Sequence, residues 1–247
     1  MPWPSRALGS LYSSLHCAYG NGIFTLDDIT RMLGSRAKAK LYVHRLRRAG
    51  WVYSFPSRKT GTYRLQAPEV CVLLQCGKIR GLANLINEEY AGLLGAYVTS
   101  VVGNVKGLRS LVLYGSVARG KARKESDLDL LAIIDDRESL RDVFNEMIEL
   151  TGKGAPGSER SYLSEHGMYR MISILPMSVS RLQNHPFIML DIATEGVILY
   201  DDGAFESEAT RIKRRLNEIG AKRVDLGQNG WYWDLMPHYS EGALVQV

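Results

Sequence analysis

Two aspartates one residue apart, Asp127 and Asp129, open the apolar run "DLDLLAIID", and the pair Gly115-Ser116 closes the preceding run "LVLY". On a β-strand, residues two apart share a face, so both carboxylates project to one side, about 6–7 Å apart, while Leu128 and Leu130 point to the other. Hard oxygen donors of this kind suit Mg²⁺, which takes one or two carboxylates and fills its remaining positions with water and substrate phosphate. A pair of such ions can hold the attacking and leaving oxygens of a phosphoryl transfer. Glycine at the bend lets the backbone approach a ligand with no Cβ in the way, and a helix starting at Ser116 presents free N–H groups to an anion. The chemistry these residue types suit is the handling of phosphate. Arg119 and Gly120 either extend the cradle or cover the surface.

These residues need elements to position them. Ser110–Tyr114 alternates into a buried strand, Gly115-Ser116 turns out of it, and a short basic helix carrying Arg119, Lys121, Arg123 and Lys124 leads through Ser126 to the second strand. An Asp-x-Asp pair alone more often marks a solvated strand face. The full order of strand, Gly-Ser, about ten residues, Asp-x-Asp, strand is far more specific.

The stretch "GSVARGKARKESDLDLLAI" resembles the signature of the nucleotidyltransferase superfamily of DNA polymerase β type, and within it the minimal nucleotidyltransferases. It matches the Gly-Ser pair, the Ala-Arg-Gly that follows and the Ser-Asp-x-Asp-Leu. The resemblance implies an α/β (α+β) domain with a mixed sheet. In it Gly115 and Ser116, with Arg119, Gly120 and Ser126 beside them, hold a nucleoside triphosphate, with ATP the expected one. Asp127 and Asp129 are then the catalytic and metal residues, coordinating one or two Mg²⁺. The reaction implied moves a nucleoside monophosphate onto a hydroxyl and releases pyrophosphate.

The family adds a third carboxylate on a later strand, which completes the metal site and helps deprotonate the acceptor. Here the next strand-like run, "MYRMISILPMS" from Met168 to Ser178, holds no Asp or Glu, and Ser173 stands about where the acid is expected. Glu165 precedes the run and Asp191 lies beyond it in a helical stretch; neither is a convincing substitute. A serine is neither an anionic ligand nor a base near neutral pH, so proton removal falls to water, a partner or another carboxylate. The sequence therefore supports nucleotide and metal binding more directly than turnover.

The charge is asymmetric. The net +5 of the 247 residues divides into +9 over residues 1–68 and −4 over the rest, and Ile29–Pro68 holds ten Lys/Arg and no acid. A one-signed field of this kind suits polyanions. Helical spacing predicts a helix over Ser5–Tyr19. Thr25, with Asp27 and Asp28 in the first turn, starts a second that ends at Gly34, and Ser35 caps a third running to about Ala49 with Gly50 as its stop. On that helix Ala39, Val43, Leu46 and Gly50 line one face and Arg36, Lys40, His44 and Arg47 another. "WVYSF" and "TYRLQ" then read as a hairpin with Arg58 and Lys59 at its tip. Helix, helix, turn, helix, hairpin resembles a winged helix-turn-helix, whose last helix enters the major groove while the wing crosses phosphates. The joined layout is similar to archaeal proteins that carry both domains. The bland alternative is a small helical domain with a solvated basic face, or one that binds protein.

Val70–Leu74 reads as a short strand, and Leu82–Val102 as one long connecting helix. Toward the C-terminus the spacing predicts a strand near Val197–Tyr200, a helix over about Phe205–Ile219 and a hairpin turning at Asn229-Gly230. Trp231, Tyr232 and Trp233 are read as packing against their own domain, with base stacking the alternative. The expected division is 1–68, winged helix; 69–102, connecting strand and helix; 103–204, nucleotidyltransferase; 205–247, C-terminal helix and hairpin.

No apolar run approaches the roughly 20 residues that cross a bilayer, the N-terminus lacks a secretory core, and Cys17, Cys71 and Cys76 have no metal-ligand spacing. A cytoplasmic protein with no membrane partner is expected. Three readings follow: an Mg²⁺-dependent nucleotidyltransferase whose basic domain brings it to nucleic acid or to a protein; a DNA-binding regulator that senses a nucleotide without turning it over; and an antitoxin-type adenylyltransferase acting on a partner toxin.

Overall fold

Apart from Asp129, the strand Leu128–Ile134 is apolar at every position, so it requires cover on both faces. The computed structural model, which describes residues 4–57, 60–122, 126–168, 171–227, 230–235 and 237, supplies that cover. Among the described residues there are eleven α-helices and nine strands in an α/β arrangement. The central sheet is mixed, with β4 (Leu108–Tyr114), β5 (Leu128–Ile134), β6 (Ile172–Ser178) and β7 (Val197–Asp201) in the order β6-β5-β4-β7. β4 runs antiparallel to β5 and β7, whereas β5 and β6 are parallel.

One face, bearing Leu111, Leu113, Leu128, Leu130 and Ala132, packs on α5 (Ala91–Asn104), α7 (Leu140–Leu150) and α8 (Gly154–Glu165). The opposite face, with Val112, Leu131 and Ile133, packs on α9 (Val179–Gln183), α10 (Ile188–Glu195) and α11 (Ala204–Glu218). Period two therefore sends Asp129 to the side of α10 and α11.

Ahead of this lie α1 (Arg6–Tyr19), β1 (Phe24–Thr25), α2 (Leu26–Leu33), α3 (Arg36–Arg48), β2 (Val52–Ser54) and β3 (Thr62–Leu65), the strands forming an antiparallel sheet ordered β1-β3-β2. A capping box starts α2: Thr25 Oγ1 accepts from the Asp28 N–H (3.2 Å) and Asp28 Oδ2 from the Thr25 N–H (2.7 Å). Ser35 Oγ caps α3 through the Lys38 N–H (3.3 Å). Leu11, Leu15, Ile29, Ala39 and Leu46 form the core of this unit. The hairpin tip, Arg58 and Lys59, lies outside the described residues.

Two expected elements differ. The run read as a strand over Val70–Leu74 is a helix, α4 (Pro68–Gln75), begun by Pro68 in the first turn with Glu69 beside it; proline's fixed φ and missing N–H suit that position. The long helix expected from Leu82 begins only at Ala91, after two 3₁₀ turns at Leu82–Asn84 and Glu88–Tyr90. The Glu88 carboxylate accepts from the Ser54 N–H (2.8 Å) and pairs with Arg47, a tertiary demand that breaks the local helical pattern. Among the described residues no helix is long and apolar enough to cross a membrane.

The N-terminal unit is tied to the remainder by Arg64 on β3, which is 1% exposed. Its guanidinium grips Glu159 of α8 with two hydrogen bonds (2.9 and 3.0 Å), donates from Nε to the Asn21 carbonyl (2.8 Å) and lies 3.8 Å from the Tyr162 ring centre.

Candidate functional site

β4 delivers the chain to Tyr114, which pairs in register with Asp129 on β5. The backbone then turns at Gly115, φ +74°, into the four-residue helix α6 (Gly115–Ala118). A Cβ on Gly115 would lie 2.2 Å from Asp129 Oδ2. Both the left-handed backbone and the close carboxylate exclude any side chain there, so the bend and the aspartate are fitted to each other. Asp127 is exposed just ahead of β5, Asp129 is half-buried, and Leu128 between them is fully buried on the opposite face.

Burial, and secondarily the charge of Asp127, push the Asp129 carboxyl above the usual carboxylate range, with Arg119 opposing the shift. Two carboxylates in a partly desolvated corner need positive charge. Hard oxygens in this number fit Mg²⁺, whose remaining ligands are water and phosphate.

The parallel register of β5 and β6 pairs Asp129 with Ser173, which is exposed. The position expected to hold a third acid is thus beside Asp129, and it carries a hydroxyl. Asp191 on α10 accepts from the indole N–H groups of Trp231 (3.1 Å) and Trp233 (2.9 Å), and Glu165 ends α8 on the surface. Among the described residues no three His, Cys, Asp or Glu side chains are grouped to hold a metal.

Beside the Gly-Ser bend lies a cleft of about 490 Å³. Ser116, Arg119, Lys121 and Ser126 line one side, and Arg223, Asp225 and Trp231 of the antiparallel hairpin β8 (Lys222–Asp225) and β9 (Trp231–Asp234) the other. The Gly115 bend meets Asp129, Asp127 and Arg119 lie close enough to act on the Asp129 carboxyl, and Arg119 and Ser126 line the cleft. Gly120, φ +67°, is pressed against Ile86, where a Cβ would lie 2.5 Å from Cγ2. Arg223 has no counterpart among the residues singled out from the sequence, and Trp231 is singled out there for packing or base stacking rather than as part of a phosphate cleft. The signal for this wall is the aromatic alternation of Trp231 and Trp233: both indole N–H groups reach Asp191 of α10, and Trp231 also borders the cleft.

The basic face of α3 divides. Lys40 and His44 are exposed, and Arg36 is exposed but paired with Asp27. Arg47, expected on that face, is turned to Glu88. A 34%-exposed guanidinium with a 9%-exposed carboxylate partner serves the junction with the following segment, because leaving that carboxylate unpaired would be costly.

A family match covers residues 100–243, and its description is "Nucleotidyltransferase domain". Comparison with curated proteins gives no match. Solved structures similar to part of the chain include a toxin-antitoxin with AMP-PNP, at 14% identity and a TM-score of 0.35 over 51% of this chain and 87% of that one. A mutant of the toxin-antitoxin MntA-HpeT gives 14% identity and a TM-score of 0.34 over the same shares.

Proposed function

Since the chain belongs to the nucleotidyltransferase domain family, we propose that it moves a nucleoside monophosphate from a nucleoside triphosphate, with ATP the first candidate, to a hydroxyl acceptor in an Mg²⁺-dependent reaction. The observation that carries this reading is the fit of Gly115 against the Asp129 carboxylate, next to Ser116, which lines a cleft together with Arg119 and Lys121. Gly115 and Ser116 receive the terminal phosphates, Arg119, Lys121 and Ser126 balance their charge and hydrogen-bond them, and Asp127 and Asp129 hold the metal. Mg²⁺ held by Asp127 and Asp129 would supply charge neutralisation for the leaving pyrophosphate. Arg119 also draws the Asp129 carboxyl toward its ionised, metal-ready form. With Ser173 in the third position, the acceptor's proton goes to water or to a group the acceptor brings.

Calorimetric titration with a non-hydrolysable ATP analogue tests the site. Binding should require Mg²⁺ and disappear in the Asp127→Asn, Asp129→Asn double variant. Equal affinity with and without the metal would count against the assignment.

Residues 1–68 serve, in this reading, as a winged-helix module: three helices and an antiparallel β2–β3 hairpin support it, together with the +9 charge. Ser173 beside Asp129 favours a second reading, a regulator that binds DNA and senses the nucleotide with little turnover. It calls for duplex-DNA binding that weakens steeply with salt and is lost in the Lys40→Glu, His44→Glu double variant. Unchanged affinity in that variant would remove α3 as the contacting helix.

A further inference from the structure

The hairpin wall of the cleft has no part in the chemistry proposed above, yet it is built with unusual care for charge. The Arg223 guanidinium lies 4.0 Å from the Trp231 ring centre and that of Arg119 4.6 Å from it. Both arginines bind the two oxygens of Glu195: Arg119 Nη1 to Oε2 at 3.3 Å, and Arg223 Nη1 to Oε1. One carboxylate thus serves two cations. Lys121 adds a third cation to the cleft, while Asp225 is engaged by the Gly227 N–H through Oδ1 (2.8 Å). Arg119 Nε is buried with no hydrogen-bond partner.

α10 holds this arrangement from behind. Asp191 and Glu195 are four residues apart and so share one face of the helix; the first anchors the indoles of Trp231 and Trp233, the second the two guanidiniums. A stacked, anchored guanidinium is preorganised for planar, bidentate recognition of phosphate oxygens. Trp231 already carries two cations against its ring, which leaves it poorly placed as a platform for a base.

We propose that the β8–β9 hairpin is a second phosphate-binding wall, in which Arg223, positioned by Trp231, takes triphosphate oxygens opposite Ser116 and together with Arg119, Glu195 being the carboxylate both arginines exchange for phosphate. The proposal rests on the nucleotidyltransferase reading and extends it to a segment outside the Gly-Ser and Asp-x-Asp motif.

The full chain, wild type and with Arg223→Gln, Arg223→Lys or Trp231→Leu, is titrated in Mg²⁺ with inorganic tripolyphosphate, a non-hydrolysable ATP analogue and adenosine, with thermal melts to establish folding. Loss of a charge-assisted hydrogen bond should weaken tripolyphosphate and the analogue about tenfold or more in Arg223→Gln. Arg223→Lys should fall between it and wild type, and adenosine binding should be unchanged. Tripolyphosphate affinity unaltered in a folded Arg223→Gln variant overturns the proposal while leaving the nucleotidyltransferase reading intact. Loss of adenosine binding in Trp231→Leu with Arg223→Gln neutral also overturns it, by making the hairpin a base platform. A wild type that binds the analogue through Arg223 but, given an α-labelled triphosphate and hydroxyl acceptors, transfers no nucleotide refutes the reading and keeps the wall. A wild type that binds neither tripolyphosphate nor the analogue overturns both.

Discussion

At the scale of single residues, the site concentrates unfavourable charge. Asp129 sits half-buried beside Asp127, and its carboxyl is raised mainly by burial. A carboxyl whose pKa is higher in the fold than in the unfolded chain adds stability below the ordinary carboxylate range, and that stability is lost as pH rises through the raised value. In the metal-free protein at neutral pH the ionised Asp129 is therefore a cost. Asp129→Asn should raise Tm by about 2–4 °C near pH 7, with the gain vanishing near pH 3, where the wild-type carboxyl is protonated. Differential scanning fluorimetry across that range decides it; a lower Tm at pH 7 would mean that the carboxylate is satisfied by protein alone. The pair Asp127 and Asp129 was legible in the sequence because period two and residue type suffice to describe it. The contact of Asp129 with Gly115 was not, since it arises from the pairing of two strands.

At the scale of elements, local signals were read well where local physics decides. The caps at Thr25 and Ser35 and the apolar runs that become β4 and β5 are decided within a few residues, and the structure keeps them. Where tertiary contacts decide, reading failed. Glu88, drawn to Arg47 and Ser54, delayed α5 to Ala91, whereas "VCVLL" became a helix for a local reason, Pro68 in its first turn. The two-residue strand β1 is too short to leave a pattern. The register of β6 against β5 was likewise invisible, yet it sets Ser173 beside Asp129. Ser173→Asp should tighten Mg²⁺ binding about tenfold, since affinity follows the number of anionic ligands. A magnesium titration followed by calorimetry would show it, and an unchanged affinity would mean that this edge of the sheet does not face the metal.

At the scale of the whole molecule, a basic N-terminal unit is fastened by two charged junctions, one to the segment that follows it and one to the nucleotidyltransferase domain. Arg64 with Glu159 and Arg47 with Glu88 each join segments far apart in sequence. The charge asymmetry was plain from composition, but that two of those basic residues are spent on the junctions was not, because their acidic partners lie at Glu88 and Glu159. The fold so assembled leaves Lys40 and His44 exposed on α3, gathers Ser116, Arg119 and Arg223 about a cleft and sets Asp129 against the Gly115 bend beside it. The reaction proposed for it is transfer of a nucleotide. The direct measurement is incubation of the wild type and the Asp127→Asn, Asp129→Asn variant with α-labelled nucleoside triphosphates, Mg²⁺ and hydroxyl acceptors that include nucleic acid, the chain itself and co-purified protein. The account predicts that label becomes attached to an acceptor with release of pyrophosphate, and that the double variant abolishes both. Intact binding of the triphosphate with no label on any acceptor, from any of the four nucleotides, would contradict it.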